Sequence, residues 1–531
     1  MQGEIDQPAI QLEEFDVVVD IDKVAMNKAL LNPVILHKVF CSLDTPTLKS
    51  VRLVCTLWAE VGATILGKQG RLPFSTPPTC EELTSFNPKL ARNIELLFRK
   101  IIKCHCIDDC SCPPNLTNLP SNFVIILPQI SDKLETLELL GVKTFEPLQE
   151  IWSTYHFARL THISIIANGV YLDKMTPPAQ GMAQFRPLPN LKVFSFEVSP
   201  SCREPSSKDF MSTICHNLVN SAPNLEEIDL KANFYWDLTA CGKLKTFQVK
   251  HYSWGGVQSE IYEMTKMLES CGHSLETLTL DYLGSYNGPI ELDLHFPNLT
   301  HLRLHATHVY SVEASVNIIN LPKLTHFSLL SNATFKRDIS SILQHYHLRH
   351  IGITSLDMSC FHYPKFDNVY GHGQAARRLV NLFPAVKELK LKMLIQYVSS
   401  YGQYFLALME TVQSFDDWEL TCGQIEFEIA SFSVSGVHNY SYPDQWFGSE
   451  LVLIVLKGMA GWRGLRNTSL QFTGNEGRQA GFRLLGEMRD VLLSCRTIRS
   501  LTIAGFLMDE QTKDNFQTFI GDHNLPISLT D

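Results

Sequence analysis

Apolar residues recur along most of this chain in a loose three-part unit, Leu-x-x-Leu-x-Leu. It reads Leu134-Leu137-Leu139, Leu160-Ile163-Ile165, Leu191-Phe194-Phe196, Leu225-Ile228-Leu230 and Leu244-Phe247-Val249. It continues as Leu275-Leu278-Leu280, Leu299-Leu302-Leu304, Leu324-Phe327-Leu329, Leu348-Ile351-Ile353 and Val386-Leu389-Leu391. Weaker copies begin near Cys422 and Leu465, and a clearer one at Ile498. The last two apolar residues of each unit are separated by one position, which predicts a short strand buried on one face. Between the units lie helical spacings, such as Ile261-Met264-Leu268 and Ala376-Leu379-Val380-Phe383.

Repetition decides the architecture. A strand, a turn and a returning helix stacked many times form an α/β solenoid of the leucine-rich-repeat kind over residues 131–531. Its strands are expected on the concave face and its helices outside. Several units follow Pro189-Asn190, Pro223-Asn224, Pro297-Asn298 or Pro322-Lys323. Unit length is uneven, so the longer units carry insertions.

The first part of the chain has a different pattern. Residues 1–25 read as an acidic tail, with Phe15 to Val19 apolar enough to fold back. From 26 to 70, two helix starts are predicted, one at Asn32-Pro33 and one at Thr45-Pro46, each a polar cap followed by a proline that needs no N–H. Ile35, Leu36, Val39 and Phe40 fall at helical spacing; Leu48, Val51, Leu53, Val54, Trp58 and Val61 follow the second start. That is more apolar surface than a short helical unit buries, which predicts a docking module. Residues 71–130 form a proline-rich connector with a helix opened by Asn87-Pro88. Leu90, Ile94, Leu97 and Ile101 lie on one face of that helix, and Arg99, Lys100 and Lys103 lie near its end.

The run Ile35-Leu36-His37-Lys38-Val39-Phe40, then Leu43-Asp44, Leu48 and Arg52-Leu53-Val54-Cys55 with Trp58, resembles the F-box family. The family's opening Leu-Pro-x-Glu is present in part, as Leu31-Asn32-Pro33-Val34. The resemblance implies binding to a Skp-type adaptor and, through it, to the cullin and RING subunits of a ubiquitin ligase. It places adaptor contacts at Pro33, Ile35, Leu36, Val39, Phe40, Leu43, Leu48, Leu53, Val54 and Trp58. An F-box followed by leucine-rich repeats resembles a known domain pair, a substrate receptor that performs no catalysis itself.

Composition narrows the picture. Hydrophobic residues make up 45% and charged residues 19% of 531, a globular balance. A net charge of −10 argues against general nucleic-acid affinity. No apolar run approaches a bilayer's width, and the N-terminus does not read as a signal peptide, so the expected location is cytoplasm or nucleus. Most of the fourteen cysteines are scattered singly, as reduced buried thiols would be.

A search for chemistry finds no phosphate loop, metalloprotease helix or nucleophile elbow, and no cofactor is expected. Cys104-His105-Cys106 with Cys110 and Cys112 offers zinc donors, but its single-residue spacings are tighter than usual for zinc, so no metal is expected and the run reads as a surface loop of free or occasionally oxidised thiols. His162, His301, His326 and His350 share one motif position and predict an imidazole ladder on the concave face. His301 and His326 with Arg303 and His305 form the expected substrate-binding patch, fitted to an acidic or phosphorylated segment. Two alternatives stay open: a repeat scaffold unconnected with ubiquitin, and a receptor whose small ligand completes the substrate surface.

Overall fold

In a computed structural model, the motif residues sit where their period requires. The structure describes residues 25–26, 28–75, 90–97, 121–142, 146–167, 185–198, 205–232, 234–251, 258–282, 293–305, 315–330, 343, 346–362, 371–395, 401–429, 447–462, 465–473, 480–495 and 498–530. They fall into two compact units, Met1–Leu225 and Glu226–Asp531. The acidic tail and the Cys104–Cys112 cluster lie outside the described residues.

The first unit opens with three helices: α1 (Pro33–Phe40), α2 (Thr45–Val51) and α3 (Thr56–Gln69). Five strands follow: β1 (Leu72–Ser75), β2 (Asn93–Leu97), β3 (Thr136–Val142), β4 (His162–Ala167) and β5 (Val193–Val198). Helix α4 (Ser121–Ile130) precedes β3, α5 (Glu146–Thr154) follows it, and α6 (Pro205–Asn220) follows β5. Each strand pairs in parallel with the next in sequence.

The second unit has the same plan. Its strands are β6 (Glu227–Lys231), β7 (Thr246–His251), β8 (Thr277–Tyr282), β9 (His301–His305), β10 (His326–Leu330) and β11 (Ser355–His362). Then come β12 (Glu388–Ile395), β13 (Cys422–Ile429), β14 (Asn467–Thr473), β15 (Ser500–Ala504) and β16 (Ile527–Thr530). Helix α7 (Gln258–Cys271) follows β7, and α8 (Gly371–Leu382) follows β11. From there α9 (Tyr401–Gln413), α10 (Phe447–Met459), α11 (Gly486–Ser494) and α12 (Glu510–His523) alternate with strands. All pairings are again parallel and in sequence order. Sequential parallel strands with returning helices are the leucine-rich-repeat arrangement.

Motif residues such as Leu137, Leu139, Phe194, Phe196, Leu278 and Leu302 are buried on one face of the ladder. A fourth buried position lies three residues before each first leucine, at Phe157, Leu188, Cys241, Leu321 and Phe383 among others. There the chain turns: the Leu191 N–H donates to the Leu188 carbonyl (3.2 Å), Leu244 to Cys241 (3.0 Å) and Leu324 to Leu321 (3.1 Å).

The recurring Pro-Asn pairs have a structural cause. Asn190 donates to the Ala158 carbonyl (2.6 Å), Asn224 to Pro189 (2.7 Å) and Asn298 to His273 (2.7 Å), each reaching the same point of the preceding turn. Threonines after the first leucine form a second ladder. Thr161, Thr300, Thr325, Thr354 and Thr421 each donate a hydroxyl to the matching carbonyl one strand back. The asparagines reach carbonyls of the preceding turn, whereas the threonines add a hydroxyl to carbonyls that already accept backbone N–H groups from the next strand.

Three expectations are corrected. The connector helix is not formed over 90–97: Asn93–Leu97 is strand β2, with Ile94 and Leu96 buried and Glu95 between them, while Asn87-Pro88 and Ile101 lie outside the described residues. The repeat ladder therefore begins before Leu134, at β1, whose Pro73 is tolerated because β1 opens the ladder. In the second correction, α2 is capped by Asp44, not Thr45; the Asp44 carboxylate accepts from the Thr47 N–H (3.0 Å) and its pKa is lowered by the Thr47 hydrogen bonds. Asn32 caps α1 as expected.

The third correction concerns repeat frame. Leu348 and Ile351 are exposed, while Ile353, Leu356 and Met358 are buried, so the motif runs Ile353-Leu356-Met358. His350 consequently leaves the imidazole ladder and takes the buried turn position that Leu321 fills one repeat earlier.

The Asn ladder carries a stability prediction. Asn190→Ala orphans the Ala158 carbonyl and should cost about 1 kcal/mol in urea unfolding of the first unit. Asn190→Asp, similar in shape but unable to donate, should cost no less.

Candidate functional site

The helical module has a closed core and an open apolar surface. Leu36, Phe40, Leu48 and Ile65 are buried together, with Leu43, Val51 and Trp58 packed against them. The Trp58 ring meets Phe40 edge-on at 5.3 Å, and its indole N–H donates to the Leu30 carbonyl (2.8 Å). Of the residues expected at the adaptor interface, Leu36, Phe40 and Leu48 are thus occupied inside, and Leu43 and Trp58 only partly emerge.

Pro33, Ile35, Val39, Leu53 and Val54 remain on the surface, with Leu53 87% and Val54 61% exposed. Sequence reading passed over Val34, which is 65% exposed. Large apolar side chains left open in one small module mark an interaction surface.

The second candidate is the polar face of the second unit's ladder. His301 and His326 stand in register on β9 and β10, their rings stacked at 4.1 Å and 13°. The next partner in that row is Ser355, the residue that replaces His350 in the ladder. His162 lies in the first unit and joins no such stack in the second.

Threonines orient both rings. Thr300 Oγ1 lies 2.9 Å from His301 Nδ1, and Thr325 Oγ1 lies 2.9 Å from His326 Nδ1. Each hydroxyl proton is committed to a carbonyl of the preceding strand, Glu276 (3.0 Å) and Thr300 (3.3 Å). Each imidazole is thus held at Nδ1 by a threonine hydroxyl that also faces a carbonyl, which fixes how the ring stands on the ladder. Burial, and then the neighbouring His326, lowers the pKa of His301. Any gain in anion binding from His301 protonation therefore needs more acid than its ordinary value near 6.5.

Arg303 is exposed on β9, and its row continues through Ser328 to Asp357 and Lys390. Burial raises the Asp357 pKa, while Lys390 and Arg303 pull it down. Lys392 lies between Glu426 (2.9 Å) and Glu428 (3.0 Å); burial alone would lower its pKa, but the two glutamates raise it. Lys250 and Asp281 pair at 3.5 Å across β7 and β8. Much of the charge on this face is thus matched within the ladder. His305 ends β9 opposite Leu330.

His350 is wholly buried. Its Nδ1 accepts from the Gly352 N–H (3.2 Å), so Nε2 carries the proton and donates to the Leu321 carbonyl (2.9 Å). It closes a turn and binds nothing. Cys215, Cys241, Cys271 and Cys495 are buried, with burial pushing Cys241 and Cys271 up to about 12; Cys41 and Cys55 are exposed. Among the described residues no His, Cys, Asp and Glu side chains group into a metal-binding cluster, and no helix is long and apolar enough to cross a membrane.

No protein-family model matches the chain, and no curated protein matches it in sequence. Among solved structures, a leucine-rich-repeat protein of Leptospira interrogans is similar over 86% of this chain and 99% of its own, at 13% identity and a TM-score of 0.26. The chain's own ladder, not that likeness, defines its class as an α/β protein of leucine-rich-repeat type.

Burial lowers the pKa of His350, so the folded state holds fewer protons than the unfolded state at acid pH. Stability on this account is full above the unfolded value near 6.5 and declines as pH falls through it. His350→Phe, which installs the residue found at the same turn position in Phe157 and Phe383, should gain on the parent as pH drops. Thermal unfolding of both at pH 7.5 and pH 5 checks this; a pH-independent difference would remove His350 from the account.

Proposed function

We propose that the chain is the substrate-recognition subunit of a cullin-RING ubiquitin ligase. The helical module would hold a Skp-type adaptor, and the polar face of the ladder would hold the protein to be modified. The observation that carries this reading is the module's exposed apolar patch, Val34, Ile35, Val39, Leu53 and Val54, set over a core that is already closed. A core in need of cover would leave its own residues half-open. Here Leu36, Phe40 and Leu48 are sealed, so the surface patch is surplus to folding and fits a second protein. The F-box resemblance of the same residues names that protein's class.

The chain would contribute no reacting group. Its part would be to raise the effective concentration of a substrate near the conjugating enzyme. On the ladder, Arg303 with His301 and His326 favours a carboxylate or phosphate on the substrate, Arg303 supplying the charge at neutral pH.

Two mutations test the two halves separately. Leu53→Asp leaves the core untouched and should weaken adaptor binding by about 30-fold or more, equivalent to about 2 kcal/mol. Adaptor pull-down undiminished by Leu53→Asp, in a folded chain, would end the ligase reading and leave a repeat scaffold. Arg303→Ala with His326→Ala should keep adaptor binding and reduce substrate capture at least tenfold, about 1.4 kcal/mol. Unchanged capture would move the substrate off β9 and β10.

A further inference from the structure

The junction between the helical module and the ladder is unusually short and unusually well bonded. Helix α3 ends at Gln69 and β1 begins at Leu72, leaving only Gly70 and Arg71 between them. A helix end leaves its last carbonyls without intrahelical partners. Here Asn93 meets them from the strand side: its carboxamide nitrogen lies 3.3 Å from the Gly67 carbonyl, 2.9 Å from Lys68 and 3.3 Å from Gly70. Arg71 then reaches past β2 to Glu138 on β3, at 2.7 Å.

Asn93 is itself held on both sides. Its strand pairs with β1 and β3, and Asn93 stands directly beside Thr136. The amide therefore projects from a fixed point of the ladder into the terminus of the last module helix. Gly67, one of the three acceptors, is buried, and Gly70 closes the helix with its N–H on the Leu66 carbonyl (2.8 Å). A flexible tether would need none of these bonds.

We infer that Asn93 is a positioning residue, a latch that fixes the angle between the helical module and the first strands of the ladder, β1 to β3. The inference rests on the proposed function for its purpose but not for its physics. A receptor that works by placing one protein near another loses that advantage when its two halves swing freely. Orientation set by one capped helix end would keep substrate and conjugating enzyme in constant register.

The donor character of Asn93 makes the latch testable. Asn93→Asp keeps the shape but offers acceptors and a negative charge to three carbonyls at the negative end of a helix, so it should open the junction more than Asn93→Ala. Fluorophores introduced as unnatural amino acids at Lys49 and Arg159, exposed positions on the module and before β4, report the angle by single-molecule energy transfer. The parent full-length chain should give one narrow distance distribution. Asn93→Ala should broaden it about twofold and Asn93→Asp further, since a released helix end frays over its last turn. Circular dichroism and the melting temperature of the ladder should change little.

In the reconstituted ligase, both variants should keep the parent's adaptor affinity and yet modify substrate about tenfold more slowly, the penalty of lost orientation. Equal distributions for parent, Ala and Asp variants would overturn the latch whatever the ligase assay gives. Broadened distributions in a chain that binds no adaptor would keep the latch and refute the ligase reading.

Discussion

Everything described here depends on parallel strand pairing that no single repeat can satisfy alone. A strand of five or six residues buries two or three apolar side chains and leaves its N–H and C=O groups to its neighbours on either side. Stacking completes both tasks at once. The first motif leucine closes the turn, the next two enter the core, and the asparagine and threonine ladders take up the carbonyls at the bends. Because the core side is fixed by this alternation, the other side of the ladder is under no packing constraint. That freedom is why histidine, arginine and paired charges can stand there.

The sequence makes the repeat legible because three apolar positions at fixed spacing are hard to produce by any other fold. It makes the start of the helical module legible through Asn32-Pro33, and it signals a surplus of apolar residues, of which Leu53 and Val54 are exposed. It misleads where two periods coincide. Leu90, Ile94, Leu97 and Ile101 fit a helix, while Ile94 and Leu96 fit a strand, and only the neighbouring β1 and β3 decide between them. The frame at Leu348 fails for a related reason: Leu348-Ile351-Ile353 and Ile353-Leu356-Met358 both match the motif. The buried turn position three residues ahead would have separated them, but His350 there disguises the signal, since a histidine in a leucine slot reads as polar surface.

The candidate site was legible as composition and not as geometry. Spacing alone puts His301 and His326 side by side. It cannot say that Thr300 and Thr325 hold the two rings in place, nor that Asp357 lies close enough to feel Arg303. Those facts change the chemistry expected of the patch. Burial and the neighbouring His326 lower the pKa of His301, so on β9 it is Arg303 that carries the charge for an anion near neutral pH.

The same distinction between composition and geometry bears on the junction. Asn93 looks unremarkable in sequence, one asparagine in a segment that reads as a helix. Once the segment is a strand, its side chain is aimed, and the three carbonyls it meets belong to a helix thought to end in a loose connector. The error about the connector and the failure to see the latch are therefore one error. A helix at 90–101 would have made the module and the repeats separable bodies joined by a hinge. A strand makes the last module helix and the first rungs of the ladder one bonded structure, joined through Asn93 to the end of α3 and through Arg71 to Glu138 on β3.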